Sequence, residues 1–240
     1  MNDLVPDTAA PAVIILSESA VELTFGDTVD LKTHRKVMAF QDHLLAQSFP
    51  GLVAVVPAYA SVTVVFDPLE VYEAMRPVQS DFRSFSPARA VLSLLDKILK
   101  TNDLKEGIMG LKAESPVEIP VHYDGPDLPE VAERLNLTAE EVIRLHSEPV
   151  YTVFMIGFQP GFPYLGPLPA ALELPRRSTP RLRVPAGSVA IAGQQTGIYP
   201  QSSPGGWHLI GHTDFQLFDP ATRPPARLQA GGRVRFVGCG

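Results

Sequence analysis

Residues 157–213, GFQPGFPYLGPLPAALELPRRSTPRLRVPAGSVAIAGQQTGIYPQSSPGGWHLIGHT, decide the architecture of this chain. They hold nine glycines and nine prolines in 57 residues, so half of the chain's 18 glycines fall in under a quarter of its length. Proline removes a backbone donor and glycine is entropically costly in a helix, so regular helices cannot run through such a density of breakers. Short apolar pieces alternate with turns instead, at residues 183–185, 188–192 and 207–210. That pattern reads as the turns and short strands of an all-β barrel. Strand-like runs resume at 216–218 and 233–237, separated by a turn at Asp219-Pro220.

Working back from this stretch, residues 117–123 and 150–156 read as strands. Between them lie two short helices, at 127–135 and 139–146, and Thr138 with Glu141 forms a capping box for the second. Residues 101–116 are a polar connector with two glycines, which puts a linker at 106–116 between a first domain (11–105) and a second (117–240). In the first domain, strands at 13–16 and 21–25 flank the Ser17-Glu18-Ser19 turn. Val37, Phe40 and Leu44 recur at helical spacing over 31–48, with Asp30 as N-cap and Pro50-Gly51 as the stop. Two β-rich runs follow at 52–56 and 61–66. A second helix starts at Ser86 with Pro87 in its first turn and a stripe of Val91, Leu94, Leu95 and Ile98. The order predicts a small α+β domain with helices on one face of an antiparallel sheet. Residues 1–10 read as a loose tail.

Composition narrows the function classes. The 240 residues are 45% hydrophobic and 19% charged, enough to bury a core. A net charge of -6 disfavours a broad nucleic-acid or acidic-membrane surface. The single cysteine, Cys239, excludes a disulfide framework and makes a poor catalytic thiol. The start Met1-Asn2-Asp3-Leu4 lacks the basic residues of a signal peptide, and apolar runs such as 62–66 are too short to span a bilayer. A soluble cytoplasmic protein is expected.

The charge of the 157–213 stretch departs from that of the chain. It carries Arg176, Arg177, Arg181 and Arg183 against one acid, Glu173. Guanidinium forks match carboxylate and phosphate oxygens in pairs. Beside glycines whose amides can approach a ligand, they could form an anion site. A solvated basic loop, or ion pairs with acids elsewhere, would explain the same charges. Ser188, Gln195, Thr196 and His208 are the polar residues that could face a ligand. Gln and Thr could read an amide and His208 could move a proton, although turn chemistry and barrel packing account for any one of them. No G-x-S-x-G elbow and no phosphate-loop motif occurs, and His208 and His212 lack the helical frame of a zinc pair, so no metal site is expected.

The segment Gly157-Phe158-Gln159-Pro160-Gly161-Phe162-Pro163-Tyr164-Leu165 resembles the "GF.PGF.YL" signature of the family that unites 5-oxoprolinase B subunits, KipI and allophanate hydrolase subunit 1. The resemblance continues through Pro175-Arg176-Arg177, Pro180-Arg181, residues 184–189, Ile191-Ala192-Gly193, residues 195–200 and residues 203–207. Ile119-Pro120-Val121, Tyr123, Asp127-Leu128, His146, Tyr151 and Val56-Pro57-Ala58-Tyr59 extend it over most of the chain. His212 departs from it, standing where arginine or lysine is expected.

The resemblance implies an α+β protein with a small N-terminal domain and a cyclophilin-like β-barrel. It implies one component of a heteromeric 5-oxoprolinase, inactive alone, with the enzyme's cyclophilin-like C subunit and its A subunit as partners. The implied reaction opens 5-oxo-L-proline to L-glutamate with hydrolysis of ATP, the co-substrate, together with magnesium and no tightly held cofactor. An amide is resonance-stabilised, and phosphorylating its oxygen makes it an electrophile, which requires cations around the transferring group. Arg176, Arg177 and Arg181, with the Gly187 and Ser188 amides, are the expected substrate or phosphate ligands. His208, Gln195 and Thr196 are the catalytic candidates. A KipI-like inhibitor of a sensor kinase and an accessory subunit of an allophanate hydrolase or urea carboxylase system are the alternatives. Prolyl isomerase activity would rest on fold analogy alone.

Overall fold

The computed structural model describes residues 11–77, 85–100 and 115–239, which fall into two compact units divided after Lys112. The predicted tail at 1–10 and most of the predicted connector lie outside the described residues.

The first unit contains β1 (Ala12–Ser17), β2 (Ala20–Thr24), α1 (Leu31–Ala46), β3 (Leu52–Pro57), β4 (Ser61–Phe66), α2 (Pro68–Met75) and α3 (Pro87–Leu99). Its four strands form an antiparallel sheet in the order β1-β2-β4-β3. Alternation along β4 buries Val62, Val64 and Phe66, which pack with Val21 and Leu23 of β2. Val37, Phe40 and Leu44 of α1 and Val91 and Leu95 of α3 complete this core. Asp30 caps α1 by accepting the Thr33 N–H at 2.9 Å, and Ser86 accepts the Arg89 N–H ahead of Pro87. Helix α2 lies beyond the sequence expectation; its start is Asp67 accepting the Leu69 and Glu70 amides, with Pro68 in the first turn.

The second unit contains β5 (Val117–Val121), α4 (Leu128–Leu135), α5 (Ala139–Ser147), β6 (Val150–Ile156), β7 (Pro163–Gly166), a 3-10 turn (Ala170–Leu172), β8 (Arg181–Val184), β9 (Ser188–Ala192), β10 (Gln195–Ile198), β11 (Ser203–Gly205), β12 (His208–His212) and β13 (Arg233–Gly238). Seven strands form one sheet in the order β12-β9-β10-β7-β6-β13-β5, antiparallel except for the parallel β13–β5 pair. The sheet curls until its edges meet. His122, just past β5, and His212, at the end of β12, exchange two backbone hydrogen bonds of 2.9 and 2.8 Å. The result is a nearly closed barrel, which leaves almost no open strand edge. β8 and β11 pair apart from it as a two-stranded ribbon.

The capping box predicted for α5 is present, with Thr138 and Glu141 bonded in both directions. The strand predicted at 216–218 is reduced to one isolated pairing, Phe218 with Ala226. β7 and β10 also exceed the sequence expectation, because Pro163, Gly166 and Gly197 read as breakers. Neighbours on both sides fix them as strands in spite of that composition.

β9 is buried along both faces. Val189 and Ile191 belong to a core shared with Leu128, Val131 and Val142 of the two helices. Ala190 and Ala192 belong to a second cluster with Phe162, Tyr199 and Trp207. The candidate site is built beside these two layers.

Candidate functional site

The four arginines of the basic stretch have separate fates, and Asp127 does the sorting. Asp127 precedes α4 at the position of an N-cap, yet its side chain caps nothing. Its carboxylate accepts Arg181 Nη1 at 2.8 Å and Nη2 at 2.6 Å, Arg177 Nη1 at 3.0 Å and the Leu209 N–H at 2.7 Å. Arg177 Nη1 also reaches Glu130, one turn along α4, at 3.0 Å. The Asp127 side chain is almost wholly buried, and the two guanidiniums are about a quarter exposed. Burial opposes its charge. The bond from Arg181, the Leu209 N–H and the nearby arginines outweigh that and hold the carboxyl below its usual range. Arg177 thus braces α4 through Asp127 and Glu130.

Arg181 faces a cleft of about 390 Å³ that is also lined by Asp124, Arg183, Ser188 and His212. Arg183 is exposed and donates to the Ser202 hydroxyl at 3.2 Å. His212 Nδ1 and Asp124 Oδ1 are 2.7 Å apart, and the His212 ring stacks on His122 with centroids 5.0 Å apart. This bond from His212 holds the Asp124 carboxyl below its usual range. Gly187, at φ +80°, turns the chain toward this cleft, and a Cβ there would collide with the Thr213 carbonyl. Both amides of the expected cradle have internal acceptors at this turn. The Gly187 N–H donates to the Tyr199 carbonyl at 2.7 Å and the Ser188 N–H to the Pro185 carbonyl at 3.4 Å. Ser188 and the cations Arg181 and Arg183 line the cleft beside that turn.

Arg176 lines a different cleft, of about 230 Å³, walled by Phe158, Phe162, Tyr164, Tyr199 and Trp207. Phe162 is the hub, with its ring edge-to-face against Tyr199 at 5.2 Å and Trp207 at 5.7 Å. The expected triplet of arginines is thus divided between two clefts and a brace.

The catalytic candidates have internal partners. Thr196 is fully buried and donates to the Ala190 carbonyl at 3.1 Å, so its lone pair accepts from His146 Nε2 at 2.8 Å. The Tyr123 hydroxyl then donates to His146 Nδ1 at 2.8 Å, and the Tyr151 hydroxyl donates to the His146 carbonyl. Burial pulls the His146 pKa down to about 3, so the ring is neutral in this chain of bonds. His208 is fully buried and donates from Nε2 to the Pro175 carbonyl at 2.9 Å. Among the described residues its Nδ1 has no hydrogen-bond partner. His208 and Thr196 are thus each tied to internal partners. Gln195 is half-buried on β10 opposite Ala192. Sequence reasoning does not select Asp127, Asp124 or the aromatic wall as site residues, although Asp127 and the Phe-rich segment lie within its resembling motifs. Among the described residues, no group of three or more His, Cys, Asp or Glu could hold a metal ion, and no helix is long and apolar enough to cross a membrane.

Residues 11–228 match the family described as carboxyltransferase domain, subdomain C and D. The chain is 42% identical over 226 residues to the 5-oxoprolinase B subunit of Bacillus subtilis (strain 168), covering 92% of this chain and 90% of that protein. It is 43% identical over 228 residues to the 5-oxoprolinase B subunit of Haemophilus influenzae, covering 94% and 96%. Among solved structures, TTHA0988 is similar with a TM-score of 0.74 at 40% identity; the match covers 95% of this chain but 40% of that longer one. The conserved uncharacterized protein PH0987 from Pyrococcus horikoshii is 36% identical, with a TM-score of 0.51 and coverage of 95% and 97%. Likeness to the urea carboxylase of Kluyveromyces lactis, at 15% identity and a TM-score of 0.64, covers 96% of this chain and 22% of that one and is a likeness of fold.

Proposed function

The chain belongs to the family of 5-oxoprolinase B subunits, within the carboxyltransferase subdomain C and D group, and we propose that it works as one component of an ATP-dependent 5-oxoprolinase. The complex opens the lactam of 5-oxo-L-proline to L-glutamate as ATP is hydrolysed. This chain acts only with its partners, the A and C subunits of the same enzyme. Identity above 40% over nearly the full length of relatives so named carries the reading. In this reading the barrel of the second unit, into whose core α4 and α5 pack Leu128, Val131 and Val142, is a cyclophilin-like one.

The cleft between Arg181, Arg183, Ser188 and His212 is the phosphate site in this reading. Arg181 is held rigid by Asp127, so its charge costs little further ordering when an anion arrives. Arg183, tethered only to Ser202, closes on the ligand from the other end of β8. His212 contributes a cation when protonated, and Asp124 fixes its ring by holding Nδ1. ATP supplies the phosphoryl group that activates the lactam oxygen. The protein's part is to gather fixed positive charge where negative charge builds up. Magnesium would be carried mainly on the phosphates, as is usual where no dedicated carboxylate cage exists.

Co-purification with candidate A and C subunits, followed by an assay of glutamate release from 5-oxo-L-proline, tests the proposal. ATP-dependent glutamate that vanishes when this chain is omitted is the expected outcome. A stable complex that releases none would overturn the assigned substrate.

A further inference from the structure

Arg176 is set apart from the other arginines of its cluster. Arg177 and Arg181 share Asp127, and Arg183 donates to Ser202, whereas among the described residues Arg176 makes no hydrogen bond or ion pair. It borders a cleft whose remaining walls are five aromatic side chains together with Pro180, Pro204, Gly205 and Gly206. Phe162, Tyr164, Tyr199 and Trp207 lock one another through edge-to-face contacts, with centroids between 4.8 and 5.8 Å. At the mouth, Phe158 is 63% exposed with φ at +69°. A left-handed phenylalanine costs about 1 kcal/mol or more, and although the ring meets Phe162 edge-to-face at 5.5 Å, most of its surface stays in solvent. The loop holds this conformation with its own bonds, Gly157 N–H to the Phe162 carbonyl and Phe162 N–H to the Gln159 carbonyl. Strain kept to hold an aromatic ring in solvent points to a ligand that covers it.

The size and charge of the cleft narrow that ligand. About 230 Å³ is below the usual range for drug-sized molecules, so a metabolite of one small ring fits and a folded segment does not. Aromatic faces favour the C–H surface of a saturated ring, and one guanidinium calls for one carboxylate. Taking the 5-oxoprolinase reading as given, we propose that this cleft seats 5-oxo-L-proline, with its five-membered ring against Phe162 and Trp207 and its carboxylate on Arg176. The Tyr199 hydroxyl, kept protonated by burial, can donate to the lactam carbonyl. The arginines of the basic stretch then divide the work, Arg176 taking the acid and Arg181 with Arg183 the phosphate.

Trp207 is the only tryptophan in the chain, so 5-fluorotryptophan labelling gives one 19F resonance that reports on this cleft. The labelled full chain, alone and assembled with unlabelled partner subunits, is titrated with 5-oxo-L-proline and with its carboxamide. We expect a saturable shift with the acid and at least tenfold weaker binding of the carboxamide. Arg176→Met lowers affinity for the acid at least tenfold and leaves the carboxamide unchanged. The Phe158→Ala variant, which removes the ring and keeps the left-handed backbone, weakens both. Absence of a saturable shift in both preparations, or equal affinity for acid and carboxamide, overturns the proposal. Glutamate release is measured on the same assembled sample. Turnover without a shift sinks the cleft and keeps the enzyme reading, and a shift without turnover does the reverse.

Discussion

Both carboxylate oxygens of Asp127 are held by the guanidinium of Arg181, at 2.8 and 2.6 Å, across 54 residues of sequence. One contact therefore ties the start of α4 to the ribbon strand β8, and the Leu209 N–H adds β12 to the same carboxylate. Removing one member of a buried charge pair leaves the other uncompensated. Asp127→Asn is expected to cost about 3 kcal/mol in urea unfolding of the full chain. The folded carboxyl lies below its ordinary value of 3.8, so its contribution is complete above that value and is lost as pH falls through the lower folded one. The gap between wild type and variant should narrow below pH 4.

Arg183 separates ligand binding from stability. Its guanidinium is exposed and, among the described residues, bonds only the Ser202 hydroxyl, so Arg183→Met should change unfolding free energy by no more than about 0.5 kcal/mol. In the assembled complex the same change should lower kcat/KM for ATP about tenfold, near the value of one charge-assisted hydrogen bond. Arg181→Met should lower turnover as well, with a loss of stability that Arg183→Met lacks. Steady-state kinetics beside thermal melts distinguishes the two.

His146 predicts an acid-side slope. Its folded pKa is depressed to about 3 from an ordinary 6.5. Between those values the unfolded chain binds a proton that the folded chain refuses, so stability rises with pH across that window and is lost as pH falls below 6.5. The slope is about 1.4 kcal/mol per pH unit at its steepest. His146→Gln keeps a polar partner for Thr196 and Tyr123 and does not titrate. Unfolding free energies from pH 4 to 7 should be flatter for that variant, and parallel curves would count against a neutral buried His146.

The barrel seam depends on two glycines. A Cβ on Gly125 would collide with the Ile210–Gly211 peptide, and one on Gly211 would come within 2.5 Å of the His122 carbonyl oxygen. Both faults lie against backbone, which cannot rotate away. Gly125→Ala and Gly211→Ala should each destabilise by about 1–3 kcal/mol, with faster amide exchange at His122 and His212 as the measurable sign. Gly193, where a Cβ meets nothing within 4 Å, has φ +56°, so alanine there should lose only the left-handed preference, about 1 kcal/mol.

What can be read in advance follows the range of the interactions. The alternation of Val62, Val64 and Phe66, the Ser86-Pro87 start and the Thr138–Glu141 box are local, and each is present. Helix α2 carries a start signal in Asp67-Pro68, but its eight residues show too few turns for a periodic stripe. The arginine cluster is visible as a run of charge. Its division is not, because Asp127 lies 50 residues from Arg177 and charge counting does not reach that far. His208 and Thr196 look like ligand-facing polar residues for a related reason. The Pro175 carbonyl and the buried His146 that engage them are brought close only by the closed sheet.

The parallel pairing of β13 with β5 has a consequence for how the protein is made. β13 follows the other six strands of its sheet in sequence, yet it lies between β6 and β5 inside the seven-stranded order. A nascent chain on the ribosome can build the hairpins β6–β7 and β9–β10 early, but the β6 and β5 edges wait for a partner that is synthesised after the rest of the sheet. Until residue 238 has emerged, the unit is an open sheet with the apolar Val117–Val121 and Val150–Ile156 strands exposed along two edges. Barrel closure thus waits for β13, and the window before it is when this unit is most open to chaperones and to aggregation.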